Sequence, residues 1–134
     1  LEEVFAQSDV LSLHAPELPS TRHIVNRETL ASMKDGAILI NTARGSLVDE
    51  EALVEALKNG KLKCACLDVT DPEPPVADSP LRKLPNCILT PHLAGQAANG
   101  LKKLGDHCYQ QIINYLEGKP LSGEIRQESL STIA

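Results

Sequence analysis

The sequence predicts an α/β fold of the doubly wound kind, a parallel sheet layered with helices. Three observations carry this reading. Short apolar runs rich in Val, Ile and Leu recur at residues 10–13, 37–40, 64–69 and 87–89 and lack a clean polar alternation, as expected of strands covered on both faces. Segments with helical periodicity lie between them, joined by short connections. A long helical pattern then follows the last strand.

The elements can be justified in chain order. Residues 1–7 form a short helix that runs into Ser8-Asp9 and the first strand. Residues 27–33 form the next helix. In residues 49–58, Ala52, Leu53, Ala56 and Leu57 fall on one stripe, Asp49 is placed to cap the N-terminus, and Gly60 stands just past the end. The prolines of residues 71–80 fix φ and remove backbone donors, so that stretch is a loop. Residues 95–117 predict one long helix, with Leu101, Leu104, Cys108, Ile112 and Leu116 at helical spacing and Gly118 and Pro120 closing it. The polar, aperiodic residues 119–134 read as a tail whose packing partner lies elsewhere.

Composition narrows the function. A chain of 134 residues with 42% apolar content can bury one domain core. Its net charge of −5 and the lack of a dense Lys/Arg tract argue against nucleic acid or an anionic membrane as partner. No apolar run reaches the ~18–20 residues of a membrane helix, and Leu1-Glu2-Glu3 does not resemble a signal peptide. The expected location is the cytoplasm. The four cysteines, at 64, 66, 87 and 108, are read as buried free thiols rather than a disulfide framework. A zinc site is not expected, since there is no C-x-x-C pair and no histidine at ligand spacing. No metal is predicted.

Four motifs follow one another along the chain: Leu13-His14-Ala15-Pro16; Ile40-Asn41-Thr42-Ala43-Arg44-Gly45 with Leu47-Val48-Asp49-Glu50; Leu67-Asp68-Val69 with Glu73-Pro74-Pro75; and Thr90-Pro91-His92-Leu93-Ala94-Gly95. Three of the four sit at or just beyond the C-terminal end of a predicted strand, where open α/β sheets bind ligands. None of the eight glycines forms the G-x-G-x-x-G turn that cradles a dinucleotide pyrophosphate.

This ordered set resembles the NAD(P)-dependent D-isomer-specific 2-hydroxyacid dehydrogenases over roughly residues 8–117. The resemblance implies the C-terminal half of a Rossmann-type nucleotide-binding domain. Residues 1–95 would be the C-terminal part of that domain, 96–118 a helix leading back toward a substrate domain, and 119–134 a polar tail. It implies hydride transfer between NAD or NADP and a D-2-hydroxy acid or 2-keto acid substrate. Arg44 would bind substrate, His92 would be the acid/base and Glu73 its carboxylate partner. Ala15, Pro16, Thr42, Ala43, Asp68 and Gly95 would line the nicotinamide end of the cofactor. Without a glycine loop, the 134 residues are expected to be inactive alone, and their exposed edge and apolar faces to drive homo-oligomerisation. A dehydrogenase-like, NAD-binding corepressor is the alternative on the same scaffold.

The residue types suit that chemistry on physical grounds. A guanidinium grips a carboxylate with a planar, bidentate fork that lysine lacks. An alkoxide formed by hydride arrival needs a proton from a group titrating near neutrality, which is histidine's range. A carboxylate on the far ring nitrogen fixes the tautomer and favours the imidazolium. Asp68, at a strand end, can accept a hydrogen bond from the nicotinamide carboxamide. Against this, a lone arginine after a strand is ordinarily a solvated charge, and Glu73 in a proline-rich loop is ordinarily exposed; it is the ordered set that favours function. His14 is read as structural or as support for the cofactor site, and His23 and His107 as exposed on a loop and a helix.

Overall fold

A computed structural model describes residues 1–96 and 98–130 of the chain. The elements run α1 (Glu2–Gln7), β1 (Val10–Leu13), α2 (Arg27–Ser32), β2 (Ala37–Asn41), α3 (Glu50–Lys58), β3 (Leu62–Leu67), β4 (Cys87–Leu89) and α4 (Gly100–Leu116), with 3-10 turns between them. The four strands are parallel in the order β1-β2-β3-β4. The described residues divide into two compact units, 1–92 and 93–130.

Local chemistry sets the helices. Asn26 caps α2 by accepting from the backbone of Glu28 and Thr29, while the Thr29 hydroxyl accepts from the Asn26 backbone. Asp49 caps α3 as expected, accepting from the Ala52 N–H at 3.1 Å. The α3 stripe of Ala52, Leu53, Ala56 and Leu57 is buried in one core with Leu30, Met33, Leu39, Ala65 and Leu67, α3 packing on α2 and β3. Val25 and Leu47 close that core from the loops, and both are fully buried.

The sheet is covered on one face within the first unit, contrary to the expectation of two. Leu11, Leu13, Leu39, Ala65 and Leu67 are buried, whereas the alternate positions Val10 and Ile88 are 53% and 54% exposed, with Ile38, Ile40, Cys64 and Cys66 half-buried between them. The strand order explains it. When order advances in one direction and each crossover is right-handed, every connecting helix falls on the same face. The cysteines are free, as expected, but less buried than expected: Cys64 and Cys66 are half-buried on the uncovered face, Cys87 is half-buried against the core beside Ala65, and Cys108 is exposed on α4.

Several boundaries move. β3 starts at Leu62, a fully buried residue paired with Ala37 across a register shift, and ends before Asp68. β2 extends to Asn41, which pairs with Leu67. The long helix begins at Gly100 rather than 95. Residues 94–96 form a 3-10 turn and Ala98 adopts φ +53, which an α-helix cannot absorb. No described residue of α4 is buried, and Leu101, Leu104, Ile112 and Leu116 are exposed. The tail folds back on α4, where the Gln111 amide bonds the Ser122 N–H at 2.8 Å and its hydroxyl at 2.9 Å. Residues 131–134 of that tail lie outside the described residues.

Candidate functional site

All four motifs prove to lie at the carboxyl ends of the strands, one more than sequence reading placed there. Beyond β1, the Ala15-Pro16 turn is held by Thr21, whose hydroxyl donates to the Pro16 carbonyl at 2.6 Å and accepts from the Leu18 N–H at 2.9 Å. His14 is exposed and shares a 2.9 Å hydrogen bond with the Ser12 hydroxyl. His23 and His107 are exposed on a loop and on α4, as expected.

Beyond β2, the chain turns sharply and a buried amide shapes the turn. Asn41, 1% exposed, accepts from the Ala43 N–H at 3.0 Å and donates to the Arg44 carbonyl at 2.9 Å. Thr42 and Arg44 are thereby presented outward, and the Arg44 guanidinium donates to the Ala43 carbonyl at 2.7 Å. Gly45 then passes against the next strand's loop. A Cβ there would lie 2.1 Å from the Thr70 carbonyl carbon and oxygen, so no other residue fits without moving backbone.

Beyond β3 and β4, two backbone bonds continue the parallel ladder past its regular part. Thr90 N–H donates to Leu67 at 3.0 Å and His92 N–H to Asp68 at 3.0 Å. This brings His92 beside Asp68, with His92 at φ +54, an uncommon conformation for a non-glycine residue. Asp68 is 6% exposed, and its carboxylate accepts a short hydrogen bond from the Thr90 hydroxyl. Glu73 arrives from the proline loop, and its Oε1 lies 2.6 Å from His92 Nδ1. Arg82 steadies the far side of that loop, donating to the Val76 carbonyl at 3.1 Å and the Pro75 carbonyl at 2.7 Å.

Asp68, Glu73 and His92 thus line one cleft of about 380 Å³, together with Thr70, Arg82 and Thr90. Arg44, Thr42, Ala43, Ala15 and Pro16 do not line it; they occupy the ends of the two neighbouring strands. Gly95 belongs to the second unit, in its 3-10 turn. Sequence reading gave no role to Asn41, Gly45, Glu50 or Thr90, although all four fall inside the quoted motifs. A glycine or amide in a motif carries no visible signal of what it packs against.

Chemically, the arrangement offers an imidazole tied by one nitrogen to a carboxylate, which leaves Nε2 for proton exchange. The donor set also fits the flat end of a nicotinamide. Two small-residue turns stand at adjacent strand ends, and a buried carboxylate oriented by Thr90 stands at the next. Among the described residues no cluster suits a metal ion, and no helix is long and apolar enough to cross a membrane.

Comparison with known proteins gives concordant results. Residues 1–94 match the family model described as "D-isomer specific 2-hydroxyacid dehydrogenase, NAD binding domain". The chain is 43% identical over 122 residues to a hydroxypyruvate reductase of Blautia hydrogenotrophica, covering 91% of this chain and 38% of the relative. It is 46% identical over 127 residues to a D-3-phosphoglycerate dehydrogenase of Haemophilus influenzae, covering 91% and 31%. The solved D-isomer specific 2-hydroxyacid dehydrogenase of Xanthobacter autotrophicus Py2, in complex with NADPH and MES, superposes with a TM-score of 0.82 at 36% identity, covering 94% of this chain and 51% of that one. The chain spans about a third of the length of the curated relatives named here.

Proposed function

Because this chain belongs to the D-isomer specific 2-hydroxyacid dehydrogenases over their NAD-binding domain, we propose that it supplies the acid/base and cofactor-facing side of an active site that interconverts a D-2-hydroxy acid and its 2-keto acid. The observation that carries the reading is the 2.6 Å contact of His92 with Glu73 in a cleft at the carboxyl edge of the sheet. The relatives matched are named as reductases and dehydrogenases, and the corepressor alternative gains no support from them.

NAD or NADP, when bound, supplies or accepts the hydride. Ala15, Pro16, Thr42, Ala43, Asp68 and Gly95 are the residues proposed to hold its nicotinamide end. Arg44 would bind the substrate carboxylate through its guanidinium fork, which requires it to exchange its contact with the Ala43 carbonyl for substrate. His92 gives a proton to the developing alkoxide from Nε2 in reduction and takes it back in oxidation. Glu73 holds Nδ1 and so fixes which nitrogen faces substrate. We further propose a cytoplasmic setting, in keeping with four free cysteines. A homo-oligomer is also proposed, in keeping with the exposed apolar stripe of α4.

A chimera tests the proposal: residues 1–117 of this chain replace the matching segment of a hydroxypyruvate reductase, and NADH oxidation is followed with hydroxypyruvate, glyoxylate and pyruvate. The chimera should turn over, and His92→Ala should lower kcat by about 10²–10⁴-fold, the usual worth of a positioned acid/base. An active chimera whose His92→Ala variant keeps its rate sinks the assignment.

A further inference from the structure

We infer that Glu50, the first residue of α3, is a positioning residue that locks the Arg44-bearing turn to the Glu73-bearing loop. This deepens the proposed reading and rests on it for its functional meaning. Glu50 is half-buried, and its Oε1 accepts the Asp71 backbone N–H at 3.0 Å. Five residues earlier on the same turn, Gly45 lies directly against the Thr70–Asp71 backbone, with no room for a Cβ. The two contacts act on one peptide unit from one segment of chain. Asp71 is met from another side by Arg22, whose guanidinium stands 3.5 Å from its carboxylate, and the Thr70 hydroxyl donates to the Pro72 carbonyl at 2.8 Å.

The link reaches His92 because little slack separates Asp71 from Glu73. Only Pro72 intervenes, with φ fixed by its ring, and Pro74 and Pro75 restrict the chain beyond. A displacement of the Asp71 amide therefore passes to Glu73, whose carboxylate must stay within hydrogen-bond distance of His92 Nδ1. Burial of Glu50 disfavours its charged form and the Asp71 N–H partly offsets this. An otherwise solvated first-turn glutamate has no need of such a site. Its neighbour Glu51 is exposed, with no hydrogen bond to the Asp71 backbone.

The test reads the site directly and needs no turnover. In the 134-residue chain, proton NMR follows the low-field Nδ1–H resonance of His92, and hydrogen exchange follows the Asp71 amide. Glu50→Asp keeps the charge and a good helix start but shortens the reach by one methylene. Glu50→Gln removes the charge but keeps an acceptor oxygen at the same reach. Glu50→Asp should accelerate Asp71 exchange by about tenfold, the effect of losing one hydrogen bond, and broaden or abolish the His92 resonance. Glu50→Gln and Glu51→Ala should leave both close to wild type. A purely helix-capping or charge role predicts the reverse ranking, and finding it overturns the inference. So does a Glu50→Asp chain that matches wild type in both signals. If the wild-type chain shows no low-field resonance, the Glu73–His92 reading fails, while Asp71 exchange still decides whether Glu50 holds the loop.

Discussion

Gly45 and Glu50 are where single atoms decide the shape of the site. The space beside Gly45 is filled by Thr70 and Asp71 backbone, which cannot rotate out of the way as a side chain would. Gly45→Ala should therefore cost about 1–3 kcal/mol or more, the range for overpacking a filled site, read as a lower urea midpoint. An unchanged midpoint would mean the two loops are not in contact. Glu50 gives a pH prediction of definite sign. Burial raises its carboxyl above the ordinary glutamate value of about 4.3. A raised group gives its stability in full below the ordinary value and loses it as pH rises through the folded-state value. Glu50→Gln should then melt higher than wild type at neutral pH and equally in acid below that range. A variant that melts lower at neutral pH would contradict the sign.

Among the elements, α3 joins core to site. Its inner stripe holds the sheet while its first residue holds the Glu73 loop. Leu53, fully buried, packs in the middle of that stripe. Leu53→Ala should cost about 2–5 kcal/mol, the range for a leucine removed from a packed core, measured by thermal or urea unfolding. A loss below 1 kcal/mol would show that α3 is not fixed on the sheet. The 3-10 turns matter at this scale as well. The turn Gly45–Leu47 buries all three of its residues and brings the Arg44 strand end round into α3 within a few residues.

Among the described residues, apolar side chains are exposed on the open face of the sheet, at Val10 and Ile88, and along the stripe of α4. Surfaces of this kind drive association in water. Light scattering across a wide concentration range should show the 134-residue chain as an oligomer, and a clean monomer throughout would refute the proposal.

The sequence by itself determined the parallel α/β fold, the four strands and the order of the motifs at their ends. Those depend on local periodicity, capping and turn residues, as Asp49 and the stripe from Ala52 to Leu57 illustrate. Only the tertiary structure decided which motif residues meet. Glu73 and His92 stand 19 residues apart and come together because the β4 backbone continues along Asp68. Glu50 and Asp71 stand 21 apart and meet because Gly45 lets the backbones touch. Such pairings rest on register and close approach between distant segments, and a linear pattern does not encode a distance. The single covered face was hidden for a related reason. An apolar run reads alike whether one side or both is packed, and strand order, visible only in three dimensions, sends every crossover to the same side.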